Sequence, residues 1–144
     1  MGTAVETGRG IVRSNETDAF GELSPFGHAA LLDDAQTYLL ALAGYSPHLV
    51  RDAGWRLATT RFEFSVTRAL SAGDPFVVES SFVECSTSRI RVRHRVSAAD
   101  TGDKIGVAAA TVTPVSLDGE FVAEIPNEII DSSAPYLVSA RAGR

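Results

Sequence analysis

One stretch limits the possible folds more than any other. Residues 25–43, PFGHAALLDDAQTYLLALA, are the only long helical run in the chain, and their apolar positions fill nearly the whole circumference, leaving Asp33, Asp34, Gln36 and Thr37 as one polar strip. Such a helix has to be covered on most sides. Both of its ends are marked locally. Ser24 offers a hydroxyl to an orphan amide, and Pro25, which needs no amide partner, suits the first helical position. Gly44 is placed to end the helix. The run is too short and too charged to cross a membrane.

The rest of the chain has a different period. Residues 8–16, with Ile11 and Val12 among polar neighbours, suggest a first strand that runs into a turn at Thr17-Asp18-Ala19-Phe20-Gly21. Residues 44–54 carry proline, serine and aspartate breakers and read as a loop or a short extra turn. From Trp55 onward the period is two: Phe62, Phe64 and Val66 alternate with Arg61, Glu63, Ser65 and Thr67. Residues 76–85 read as the next strand. In residues 89–96, Ile90, Val92, His94 and Val96 face one way and Arg89, Arg91, Arg93 and Arg95 the other. Residues 104–117 are small and apolar on both faces, and Asp118-Gly119 is a turn signal. Residues 121–130 contain Ile125-Pro126 and are expected to end in a short helix. The order predicts an α+β fold: one long central helix wrapped by an antiparallel sheet of about five strands, as a single domain over 1–144 with flexible ends at 1–7 and 134–144.

Composition narrows the function classes. With 144 residues, 44% of them hydrophobic, the chain is long enough for a real core. A net charge of −5 argues against nucleic acid as a partner, since phosphate backbones call for a cationic surface. Cys85 is the only cysteine, so no intrachain disulfide is possible, and with no secretory signal visible a reduced, cytoplasmic setting is expected. His28, His48 and His94 lack metal-ligand spacing, and Ser24 lies in no G-x-S-x-G elbow. Neither a metal nor a cofactor is expected.

The chemistry-bearing candidates cluster around the helix start. Asp18 supplies a carboxylate a few residues before a helix N-terminus, where orphan amides and the positive end of the macrodipole face whatever binds. A turn aspartate that caps its own backbone is the plainer reading. His28 lies one turn into the helix and reads as a core histidine or a hydrogen-bonding group. Asp33 reads as a charge on the polar strip or a group that orders the site. The arginine ladder suits phosphate geometry, and equally suits an outer sheet face paired with Glu63, Glu79 or Glu84.

These residues resemble a known family. Asp18-Ala19-Phe20-Gly21 after a first strand, an acid at Asp33 twelve positions beyond Gly21, and Ile125-Pro126 followed by Glu128 resemble the hot-dog fold thioesterases of the 4-hydroxybenzoyl-CoA thioesterase-like group. VRSNETDAFGELS also looks like the opening of acyl-carrier-protein thioesterases. The resemblance implies hydrolysis of an acyl thioester carried on coenzyme A or a carrier protein, without metal, in a homodimer or homotetramer with active sites between subunits. Asp18 matches the catalytic carboxylate, acting as nucleophile or as general base for water, and Gly21 the glycine of the turn. The family polarises the thioester carbonyl with an amide of the first helical turn; Pro25 at the expected position has none, which moves the donor to Phe26 or Gly27. His28 and Asp33 are supporting candidates, and Arg89 and Arg91 candidate phosphate contacts. Usage rich in alanine, arginine and valine suggests a biosynthetic carrier-protein substrate, in polyketide or fatty acid metabolism. Two rivals use the same fold. A dehydratase would need a histidine and a carboxylate on one substrate proton, with His28 and Asp33 the available pair. A non-hydrolytic acyl-binding or assembly module is the reading that Pro25 keeps open.

Overall fold

A computed structural model describes residues 2–119 and 122–138. Five strands, β1 (Val5–Ile11), β2 (Trp55–Val66), β3 (Pro75–Cys85), β4 (Ile90–Ala98) and β5 (Lys104–Ser116), form one antiparallel sheet in the order β1-β3-β4-β5-β2. Helix α1 (Pro25–Leu42) crosses one face of it; two short helices, α2 (Pro47–Ala53) and α3 (Asn127–Ser133), complete the fold. This is the α+β arrangement of one long helix on an antiparallel sheet anticipated from the element order, and the hot-dog fold that the family resemblance implies. Residues 44–54, read as a loop or extra turn, contain α2: Ser46 accepts from the Leu49 amide and Gly54, at φ 74°, ends it.

The ends of α1 are built as the sequence indicates. Ser24 Oγ accepts from the Gly27 amide at 3.0 Å, with Pro25 in the first helical position. At the other end the Gly44 amide donates to Ala41 O and the Tyr45 amide to Leu40 O, with Gly44 at φ +89°. That pair of bonds satisfies carbonyls the helix leaves free, and the left-handed residue suits glycine. Coverage is the point of correction. The sheet lies on one side only, so His28, Leu32, Ala35, Gln36, Leu39 and Leu40 are buried while Phe26, Ala30, Asp33, Asp34, Thr37, Tyr38 and Ala41 stay exposed. Each buried leucine contributes about 2 kcal/mol by leaving water. The apolar residues on the open face have no sheet to meet in this protomer.

Strand faces follow the period of two, with shifts. Val78, Ser80 and Phe82 on β3, Ile90, Val92, His94 and Val96 on β4, and Ala108, Ala110 and Val112 on β5 are buried under α1. On β2 a bulge between Thr59 and Arg61 changes the phase, so that Trp55, Leu57 and Thr59 share the helix side with Phe62, Phe64 and Val66. The first strand begins at Val5 and closes at Ile11, earlier than residues 8–16 suggest. The two ends, expected to be flexible, hydrogen-bond to each other: the Gly2 amide donates to Leu137 O and the Thr3 amide to Pro135 O, while Leu137 bridges Phe82 beyond the end of β1. Of the tail expected to be flexible, residues 139–144 lie outside the described residues.

A line of polar groups crosses this core. Thr7, at the irregularity in β1, shares a hydrogen bond with Ser80 Oγ at 2.7 Å; Ser80 Oγ meets His94 Nδ1 at 2.6 Å; His94 Nε2 faces Gln36 Oε1 of α1 at 3.5 Å; and Gln36 Nε2 donates to Thr59 Oγ1 of β2 at 2.9 Å. Five elements, β1, β3, β4, α1 and β2, are tied together this way. His94 is 0% exposed, and its burial pushes the imidazole pKa down to about 4, so the ring is neutral.

Candidate functional site

The Asp18 turn is a small hairpin laid against the start of α1. Thr17 bridges Leu23, the Asp18 amide donates to Glu22 O at 2.7 Å, and the Ser24 amide donates to Glu16 O at 3.1 Å. Gly21 closes the turn at φ 77°, a conformation that favours glycine. Within it, the Phe20 and Glu22 amides donate to Asp18 Oδ1 at 2.8 and 3.1 Å. This is the backbone-capping geometry that an aspartate beside a glycine adopts. It engages one carboxylate oxygen. Oδ2 accepts no hydrogen bond from the described residues, and the side chain is exposed.

The amides of the first helical turn are distributed unequally. Pro25 has none, the Gly27 amide is held by Ser24 Oγ, and the Phe26 amide has no acceptor among the described residues. Gly27 is glycine for a packing reason: a Cβ there would stand 2.4 Å from Leu23 Cδ1 and 2.9 Å from Glu16 O. Its role is to let the turn close onto the helix. Two phenylalanines flank the turn and the helix start with their rings in solvent, Phe20 at 88% and Phe26 at 86% exposure. The sequence reading singled out neither side chain.

The supporting candidates separate. His28 turns toward the sheet, buried and stacked on Phe64 of β2 with ring centroids 5.8 Å apart, and burial lowers its pKa. Asp33 lies on the open face of α1. The pair a dehydratase would need is therefore split between two faces. Arg89 donates to both carboxylate oxygens of Glu84 at 3.0 and 3.1 Å, and Arg91 stands 3.8 Å from the same carboxylate, all on the sheet face away from α1. Neither arginine is near the Asp18 turn in chain or layer.

Among the described residues no three His, Cys, Asp or Glu side chains converge in a metal-holding group, and no helix is long and apolar enough to cross a membrane. The half-buried Cys85 packs against the core, and burial raises its thiol pKa.

Solved structures share this fold. A 1,4-dihydroxy-2-naphthoyl-CoA thioesterase from Synechocystis superposes with a TM-score of 0.79 at 16% identity, over 88% of this chain and 93% of that one. A 4-hydroxybenzoyl-CoA thioesterase variant complexed with 4-hydroxybenzoyl-CoA gives 0.80 at 19% identity, over 90% and 98%. The dynemicin thioesterase gives 0.78 at 19% identity, over 94% and 100%. No curated protein sequence matches the chain. The model of one family does match it, over residues 12–132. That span takes in the Asp18 turn, the helix and all four later strands, and the chain belongs to the thioesterase-like superfamily.

Proposed function

We propose that this protein hydrolyses an acyl thioester, with Asp18 as the reacting carboxylate and the Phe26 amide as the carbonyl-polarising donor. One observation carries the reading. The turn fixes Asp18 through Oδ1 alone, leaves Oδ2 without a hydrogen bond among the described residues, and leads within a few residues into a helix whose second residue has an unused amide. A carboxylate held that way is oriented without being consumed. As a base, it takes a proton from water as the water oxygen attacks the thioester carbonyl; the carbonyl oxygen gathers negative charge beside the helix N-terminus; the C–S bond then breaks and the thiolate leaves, taking up a proton. As a nucleophile, the carboxylate bonds to the thioester carbonyl carbon while the C–S bond breaks and the thiolate leaves, taking a proton from solvent; water then adds to the resulting acyl anhydride, releasing the carboxylic acid and restoring the Asp18 carboxylate. The membership in the superfamily supports the reaction class; two of the structural neighbours named above are aryl-CoA thioesterases by name, and the dynemicin thioesterase is described as binding a polyene. Coenzyme A is the favoured carrier, with a carrier protein as the second candidate.

The exposed side of α1 and the open β2 edge support a homodimer. Phe26 and Tyr38 on the helix, and Phe62 and Val66 at the edge, are large apolar groups in water. A second copy would cover them and wall the Asp18 site.

The test is thiol release from aromatic, short aliphatic and long acyl-CoA esters by the native protein and by Asp18→Asn. Turnover is expected to fall at least about a hundredfold in the variant, with an unchanged circular dichroism spectrum. Equal rates would remove Asp18 from the mechanism. A second reading, a non-hydrolytic acyl-binding module, is favoured by the loss of two first-turn amides to Pro25 and to the Ser24 cap. Tight acyl-CoA binding without thiol release from any ester, coenzyme A or carrier protein, would select it.

A further inference from the structure

The sheet face away from α1 carries a feature that thioester hydrolysis leaves unused. Register places Arg93 of β4 between Ser81 of β3 and Ala109 of β5, and Ala109 beside Glu63 of β2; one step along, Arg91 lies between Glu84 and Thr111, and Thr111 beside Arg61. Long guanidinium side chains thus stand around a floor of alanine and threonine. A groove of about 370 Å³ results, lined by Arg61, Arg89, Arg91, Arg93, Ala109 and Thr111 among others. Four arginines face it against Glu63 and Glu84, a local positive excess on a chain whose net charge is −5.

The four cations differ in what holds them. Arg61 is paired with Glu63, Arg89 with Glu84, and Arg91 lies near Glu84. Arg93 makes no ion pair with a described residue, although it is half-buried and flanked by the buried Ser81. With no carboxylate among the described residues holding it, the guanidinium is free to meet an incoming anion, and its planar fork matches a phosphate edge. We infer that this groove binds a small phosphate-bearing polyanion, with Arg93 as its anchor and Arg91 as the second contact.

The occupant's chemistry follows from the lining. No aromatic side chain lines the groove, so there is no platform for a stacked base, and the volume suits a di- or oligophosphate group rather than a folded segment. The groove and the Asp18 turn lie on opposite faces of the sheet, so within one protomer they cannot serve one reacting group. Two sources carry the same chemistry: the nucleotide end of a coenzyme A bound mainly by another protomer, and a free phosphorylated effector.

Inorganic pyrophosphate is the probe, titrated calorimetrically at low salt into the full chain and into Arg93→Gln, Arg93→Lys and, as a distant control, Arg68→Gln, whose partner is Asp103. Saturable binding is expected, weakened at least tenfold by Arg93→Gln, less by Arg93→Lys, which keeps the charge without the fork, and unchanged by Arg68→Gln. Absence of saturable binding, or equal weakening by the Arg93 and Arg68 variants, would overturn the inference. Should Arg93→Gln fail to fold, the lysine variant decides on the same scale. Competition by coenzyme A identifies its nucleotide end as the ligand, and independence from coenzyme A identifies a separate effector; both uphold the groove. No thioester enters the assay, so its failure leaves the hydrolase reading standing.

Discussion

The line of polar groups under His94 and the polar turn at Asp18 are made of similar atoms in opposite situations. His94 is closed off from water with a partner on each ring nitrogen, whereas Asp18 is exposed with one oxygen engaged and one open. Among the described residues no deeply buried side-chain nitrogen or oxygen lacks a hydrogen bond, so the core line is complete. A complete buried network fixes architecture, because each member is expensive to strand. A half-satisfied surface carboxylate is cheap to keep and free to meet a substrate. The contrast assigns stability to one region and leaves the other available for the turnover proposed above, and each part can be broken separately.

The largest effect on stability is expected from His94→Ala. It opens a cavity between α1 and the sheet and leaves Gln36 Oε1 without its buried partner, for a cost of about 4 kcal/mol. Urea unfolding measures it directly. Asp18→Asn, in the same assay, should leave the midpoint nearly unmoved, since an amide oxygen still accepts from Phe20 and Glu22. Comparable destabilisation by both variants would erase the division between the two regions.

Acid should probe the same region without a substitution. Burial holds His94 at about 4 in the folded chain, against 6.5 for an ordinary histidine. Below pH 6.5 the unfolded chain therefore binds the proton that the folded chain refuses, and stability is lost as pH falls from 6.5 toward 4. His28, lowered by the same cause, acts in the same direction. For His94 the full loss is on the order of 3 kcal/mol. Chemical unfolding at several pH values, in the native chain and in His94→Gln, separates this from the carboxylates common to both. An identical pH slope in the two proteins would rule out His94 as its source.

The contrast between regions also explains what could be read from the sequence. The ends of α1 were legible because Ser24, Pro25 and Gly44 act on amides and carbonyls within a few residues of themselves. The Asp18 turn was legible for the same reason. Alternation revealed that His94 faces away from the arginines of β4, a placement the burial pattern bears out. Its partners were invisible, since Ser80 and Gln36 lie 14 and 58 positions away and no local rule pairs them. The β2 bulge was missed because Trp55 and Leu57 fall out of phase with Phe62 and Phe64, which on sequence alone resembles an irregular start rather than an inserted residue. Full coverage of α1 was overread for a related reason: apolar residues all round a helix show that it seeks cover, and one sheet supplies only half of it.

The smallest expected effect falls at the start of α1, beside the Asp18 turn. Ser24 caps α1 through the Gly27 amide, and that same bond withdraws the amide from any role at a thioester. Ser24→Ala should cost about 1 kcal/mol of stability, the usual worth of a cap, measured by thermal or urea unfolding. It also frees a second donor beside that of Phe26. If the Phe26 amide alone polarises the carbonyl, kcat should change little. A rise in kcat with a lower unfolding midpoint would instead show that the cap holds back a competent donor, and that this chain sacrifices part of its oxyanion site to keep the helix start closed.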